Sequence, residues 1–160
     1  MCYEKMGGRD FVGVGESEVV MQFTKAEEYG MLGVLYLAQK HDSSVTPLSE
    51  ISEARQIPEK FLAKIFQALA KSGIVKSYRG VRGGFTLSRD PERINVREIL
   101  ESIQGPFHLV KSKTNGGSES VDLTALRELM QLAENRMVHV FEEYSLADLA
   151  HGHHSHTAVS

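Results

Sequence analysis

Lys60, Lys64, Gln67 and Lys71 recur every three or four residues, the spacing that stacks side chains on one face of a helix. Shortly after them, Arg79-Gly80-Val81-Arg82-Gly83 sets two guanidinium groups in a glycine-rich turn. Lysine and arginine offer permanent positive charge and several hydrogen-bond donors. That chemistry suits phosphate oxygens and base edges and makes or breaks no covalent bond. No nucleophile–base grouping, phosphate-loop glycine motif or pair of catalytic carboxylates occurs in a recognisable frame, so no catalytic residue is assigned and no enzyme is expected.

The charge distribution points the same way. Nine cations (Lys60, Lys64, Lys71, Lys76, Arg79, Arg82, Arg89, Arg93 and Arg97) lie between positions 60 and 97, opposed only by Asp90 and Glu92. The formal net charge of the chain is −3, so everything outside this stretch is strongly acidic. A basic middle on an acidic body is the footprint of one face that meets polyanionic phosphate. A plain solvated surface would carry the same charges, and the elements that hold them must decide.

A first helix is expected from about Thr24 to Lys40. Tyr29, Leu32, Gly33, Tyr36 and Leu37 form its apolar face, and Met31, Val34, Leu35 and Ala38 make it apolar nearly all round. Tyr29 and Tyr36 are assigned to packing. Thr46 offers an N-cap oxygen and Pro47 a preset first residue for a short helix to about Ala54, with Leu48 and Ile51 inward. After a turn at residues 55–57, Pro58 opens a third helix. Its core face is Phe61, Leu62, Ile65, Phe66 and Leu69, and Gly73 stops it.

Two short helices joined by a three- or four-residue turn suggest a helix-turn-helix. The exposed stripe on the second then has the reach to read a major groove. Ile74–Tyr78 and Gly84–Leu87 predict two strands around the arginine turn. Glycines there permit positive φ and close backbone approach. Arg79 and Arg82 at the tip suit a narrow minor groove or a pair of phosphates. A helix-turn-helix followed at once by a basic hairpin is a winged helix.

Asn95 and Glu98 predict a capping box on a helix that buries Val96, Ile99, Leu100 and Ile103 and ends at Gln104-Gly105-Pro106. Beyond a loop, Leu123, Leu126, Met130, Ala133, Met137, Val140 and Tyr144 alternate by three and four. That heptad phase describes a long helix with a seam for a second copy, an internal core contact being the other use of it. Ser145 with Asp148 caps a final short helix, Leu146 to Ala150.

At 160 residues the chain has the size of one ordinary domain. Its one cysteine, Cys2, excludes an internal disulfide framework, a Cys-rich zinc site and a cluster held by several of its own cysteines. No apolar run approaches the ~20 residues of a membrane-spanning helix, and the first twenty residues carry no signal-peptide apolar core. Cytoplasmic location is the default expectation, with no membrane partner. Met21, where the patterning begins, is a candidate natural start. Cys2 is read as an incidental thiol. His151, His153, His154 and His156 form an imidazole cluster suited to weak metal binding or to no purpose beyond tail composition.

From about Met21 to Ala150 the chain resembles the Rrf-two family of bacterial repressors. The resemblance rests on Glu28-Tyr29, on Phe61-Leu62, Ile65-Phe66, Leu69 and Ser72-Gly73-Ile74-Val75, and above all on the wing, Ser77-Tyr78-Arg79-Gly80-Val81-Arg82-Gly83-Gly84-Phe85-Thr86-Leu87. Gln104-Gly105-Pro106 and Leu146-Ala147-Asp148-Leu149-Ala150 sit where the family carries similar segments. The resemblance implies a homodimeric regulator of double-stranded DNA with paired or swapped long C-terminal helices. It also implies that Lys60, Phe61 and Lys64 meet the major groove, with Arg79, Gly80, Val81 and Arg82 at the minor groove. Ala63 stands where the family's cluster regulator has a base-reading glutamate, so the operator should differ. Cluster-binding members carry three cysteines in the loop after the Gly-Pro position. Here residues 107–120 contain none, and His108 is the segment's single good soft-metal ligand. No cofactor is therefore expected, and control falls to a regulatory protein or a small-molecule effector.

The expected fold is mainly α: a winged helix-turn-helix with a two-stranded wing and a long C-terminal dimerisation helix. The expected divisions are a tail (1–20), a winged-helix domain (21–104), a loop at the sensor position (105–120), the dimerisation and final helices (121–150) and a His-rich tail (151–160). DNA contact is expected from Lys60, Phe61, Lys64, Gln67, Arg79, Gly80, Val81 and Arg82, and no metal site is assigned. The alternative functions are a protein-interaction module and a metal-responsive regulator that uses the His-rich tail.

Overall fold

The computed structural model describes residues 23–40, 44–108 and 121–152. Six helices and one hairpin follow in the order α1 (Lys25–Gln39), α2 (Leu48–Arg55), α3 (Glu59–Lys71), β1 (Val75–Tyr78), β2 (Gly84–Leu87), α4 (Val96–Gln104), α5 (Val121–Glu143) and α6 (Leu146–His151), with a 3-10 turn at Pro91–Arg93. This is the mainly helical winged helix-turn-helix that the patterning predicts. Residues 1–22 and 109–120, and His153, His154 and His156, lie outside the described residues. So the expectations about the N-terminal tail, Cys2, Met21, the loop beyond His108 and the His-rich tail concern other parts of the chain.

α1 starts where Thr24 accepts from the Glu27 N–H while the Glu27 carboxylate accepts from the Thr24 N–H. This capping box satisfies two donors of the helix start at once, which explains why Glu27 is buried. Its buried side is Gly30, Met31, Gly33, Val34 and Leu37, a stripe rotated from the expected one. Tyr29, Leu32 and Tyr36 sit half-buried at its edge. The two glycines decide the rotation. A Cβ on Gly33 would lie 2.5 Å from the Phe66 ring, and one on Gly30 would lie 2.3 Å from Ile103 Cδ1. The α1 backbone therefore touches α3 and α4 directly.

The core is formed by Val34, Ile51, Ile57, Leu62, Phe66, Leu69, Ile74, Ile94, Ile99, Leu100 and Leu146, all essentially without exposure. Ile103 is only half-buried. Leu146 belongs to α6, so the final helix packs into the winged-helix body and not with α5. Two backbone bonds hold it there, Val96 N–H to Tyr144 O at 2.9 Å and Leu146 N–H to Ile94 O at 2.7 Å. Ser145 and Asp148 form the predicted capping box, and α6 runs one residue further than expected, to His151.

Three local expectations differ. Thr46 does not cap α2. Its N–H and C=O exchange hydrogen bonds with Phe85, both at 2.9 Å, and Pro47 takes the N-cap position without a side-chain cap. Phe61 does not join the core; it is 61% exposed. The Asn95–Glu98 box is half made: Asn95 Oδ1 accepts from the Glu98 N–H at 2.9 Å, but the Glu98 carboxylate pairs with Arg89 at 2.6 Å.

Candidate nucleic-acid interface

The strong amphipathicity of α3 positions its chemistry. Leu62, Ile65, Phe66 and Leu69 turn inward, which leaves Lys60, Phe61, Lys64, Gln67 and Lys71 exposed. Gln56 at φ 54° closes α2 and turns the chain into α3. Ser52 Oγ bridges the same corner by donating to Ile57 O at 2.6 Å. At the other end Gly73, at φ 75°, ends the helix with the Ile74 N–H bonded to Leu69 O at 2.9 Å.

The wing pairs β1 and β2 antiparallel, Val75 opposite Leu87 and Tyr78 opposite Gly84. Phe85 faces α3 and meets Phe66 edge-on, ring centroids 4.9 Å apart. Gly84 lies against the Thr46 strand-like segment; a Cβ there would fall 2.2 Å from Thr46 O. The tip turns through Gly80 at φ 110°, closed by the Gly83 N–H on Gly80 O at 2.9 Å. Arg79, Val81 and Arg82 project from it, all exposed, with Val81 entirely so.

Structure also sorts the nine cations of this stretch. Arg89 is paired with Glu98, and Arg97 with Glu101 and Glu142. The exposed cations of α3 and the wing tip take no part in these internal pairs. Lys76 and Tyr78 on β1 are exposed as well. So is Ser77 between them, and only Val75 of this strand turns inward. Tyr78 is an exposed aromatic side chain to which the sequence pattern assigned no DNA contact.

A polar cluster holds α1 against α2. Tyr36 Oη donates to Glu50 Oε1 at 2.8 Å, Lys40 Nζ donates to the same oxygen at 2.8 Å, and Arg55 lies over the Tyr36 ring, 5.5 Å from its centroid. The Lys40 ammonium and then the Tyr36 hydroxyl hold the Glu50 carboxyl below the usual carboxylate range. The hydrogen bond to Glu50, above all, holds the Tyr36 phenol above its ordinary value. Sequence reading missed this cluster because its members are 4 to 19 positions apart.

Along α5, Met130, Glu134, Met137, Val138 and Phe141 are half-buried. Phe141 meets Phe107 edge-on at 5.7 Å, and His108 Nδ1 lies 3.4 Å from Glu134 Oε1. Leu126, Leu129, Leu132 and Val140 are about half exposed or more, and Ala133 is exposed beside them. Of the expected seam, Leu126, Ala133 and Val140 lie on the open side, Met130 and Met137 at its border, and Tyr144 against the core. The Leu123 side chain is outside the described residues. Leu129 and Leu132 widen the exposed apolar strip beyond the expected heptad.

Residues 23–152 match a family model described as Rrf2, iron-dependent transcriptional regulator. The chain belongs to the Rrf2 family. It is 38% identical over 81 residues to a helix-turn-helix-type regulator of Aquifex aeolicus, an overlap of 51% of this chain and 56% of that protein. It is 28% identical over 130 residues to CymR of Bacillus subtilis, covering 81% of this chain and 90% of CymR. The solved structure of that global cysteine regulator superposes with a TM-score of 0.70, covering 83% of this chain and 98% of CymR. T. potens IscR, 25% identical, superposes with a TM-score of 0.65, covering 88% and 95%. This Rrf2 chain is therefore a helix-turn-helix DNA-binding transcriptional regulator, the principal reading of its sequence. The alternatives of an interaction module and a tail-based metal sensor gain no support.

The family description names iron, and the donor set does not fit an iron–sulfur cluster. Such clusters need several thiolates, and this chain has only Cys2. Among the described residues no three His, Cys, Asp or Glu side chains converge as a metal site. No helix among the described residues is long and apolar enough to cross a membrane.

Proposed function

We propose that this Rrf2 protein is a homodimeric repressor of a pseudo-palindromic operator, controlled by an effector other than a cluster on its own cysteines. Each protomer lays α3 in a major groove through Lys60, Phe61, Lys64 and Gln67. The wing tip, Arg79-Gly80-Val81-Arg82, follows the adjacent minor groove. Two copies pair through the open apolar side of α5.

The observation that carries this reading is the division of the basic stretch: Arg89 and Arg97 are internally paired, while Lys60, Lys64, Arg79 and Arg82 face solvent. Cations left outward on a recognition helix and hairpin suit phosphate and groove contact. The strip of Leu126, Leu129, Leu132 and Val140 supports the pairing, since exposed apolar surface of that kind marks an interface. The test is to capture genomic fragments with the purified protein and titrate an enriched fragment by fluorescence anisotropy at several salt concentrations. Tight binding that falls steeply with salt is expected. Repression is checked with a reporter driven by the same fragment; reporter output that rises with the protein would reverse the sign assigned here.

A further inference from the structure

We propose that Phe61 reads the 5-methyl group of a thymine in each operator half-site. The inference rests on the major-groove placement of α3 proposed above and names the base that this surface selects. Phe61 lies in the first turn of α3, the part of a recognition helix that reaches base edges. It is 61% exposed, while its neighbours Leu62, Ile65 and Phe66 fill the core. The ring is thus not needed to build the protein interior.

The ring's surroundings specify what can cover it. Lys60 beside it and Lys64 one turn on are exposed cations, so the partner that approaches Phe61 is polyanionic. An apolar protein surface would have to desolvate both ammonium groups. Duplex DNA satisfies them at phosphates or guanine edges and still presents an apolar group. In the major groove of unmodified DNA that group is the thymine methyl. A phenyl ring has no donor or acceptor, so Phe61 distinguishes bases by apolar contact alone. The exposed Val81 at the wing tip has no equivalent target, because the minor groove displays no methyl.

The experiment uses the full chain and an operator enriched from genomic fragments. Each thymine of one half-site is replaced in turn by deoxyuridine, which removes the methyl and keeps the pairing edge. For the wild type, one position should lose about fourfold in affinity, the equivalent of one buried carbon. Phe61→Ala should bind the thymine and uridine duplexes equally, and Phe61→Leu should keep the preference. If no uridine substitution weakens the wild type, or Phe61→Ala retains the fourfold loss, Phe61 does not read a methyl. A wild type that enriches no fragment sinks the DNA-docking proposal itself, and this inference with it.

Discussion

Phe66 of α3 and Phe85 of β2 meet edge-on with centroids 4.9 Å apart and planes 73° from parallel. One ring belongs to α3 and the other to the wing, so this contact ties the two elements that carry the exposed Lys60, Lys64, Arg79 and Arg82. Phe66 is fully buried and Phe85 half-buried. Phe85→Ala should destabilise by roughly 2–3 kcal/mol, below the range for a fully buried phenylalanine. The thermal melt measures this. At a temperature where the variant remains folded, its operator affinity should still fall, because the wing loses its brace. A wing that holds by its backbone alone would show a lower melting temperature and unchanged affinity.

Gly84 and Gly73 should respond very differently to alanine. At Gly84 the new Cβ would meet Thr46 O at 2.2 Å and Thr46 C at 2.5 Å. These are backbone atoms held in the bridge to Phe85, so they cannot give way. The expected cost is about 3 kcal/mol or more. At Gly73 no atom lies within 4 Å, and only its φ of 75° resists. That cost should be about 1–2 kcal/mol. Urea titration of both variants gives the order, and a milder Gly84→Ala would contradict the described Thr46–Phe85 bridge.

Arg79→Ala and Arg82→Ala should each weaken operator binding by about 1–3 kcal/mol and leave the melting temperature within experimental scatter. Both side chains are exposed on a turn closed by backbone bonds, so folding does not require them. Arg97→Ala is the contrasting control. It breaks pairs to Glu101 and Glu142, and its effect should appear in stability and not in affinity.

Leu129→Asp and Leu132→Asp probe the open side of α5. Their side chains are 60% and 53% exposed, so the protomer's own core does not need them. Sedimentation equilibrium should show a shift from dimer to monomer. Operator affinity should drop at least about tenfold as the two half-sites are uncoupled. A wild type that sediments as a monomer would remove the basis of the pairing.

Acid should loosen the α1–α2 junction through Glu50. Its carboxyl titrates below the usual range because Lys40 and then Tyr36 bind the charged form. A group depressed in the folded state stabilises above its unfolded value, and this is lost as pH falls through the folded one. Wild-type stability should therefore decline as pH drops through and below the ordinary carboxylate range. Glu50→Gln should be less stable than wild type at neutral pH, by no more than about 1 kcal/mol for so exposed a pair. The gap should narrow as the solution becomes acid. A gap constant with pH would assign the tie to packing and not to charge.

Sequence alone determined the order of elements, the inward stripe of α3 apart from Phe61, which stays outside the core, and the arginine-bearing turn, because each is written in residues a few positions apart. The period of Leu62, Ile65, Phe66 and Leu69, the stop at Gly73 and the Ser145–Asp148 cap require no knowledge of distant chain. The wing motif likewise carried the family resemblance. Only the tertiary structure decided which faces of α1 and α5 are covered. On α1, Gly30 and Gly33 admit Ile103 and Phe66, partners 73 and 33 residues away. On α5, the heptad of Leu126, Met130, Ala133 and Met137 fits a range of rotations. Contacts such as Phe107 on Phe141 choose the one that leaves Leu129 and Leu132 open. Thr46 departs from the expected cap for the same reason: a cap is decided locally, and its bridge to Phe85 spans 39 residues. Local patterns report which side chains prefer burial, and long-range packing decides which of them obtain it.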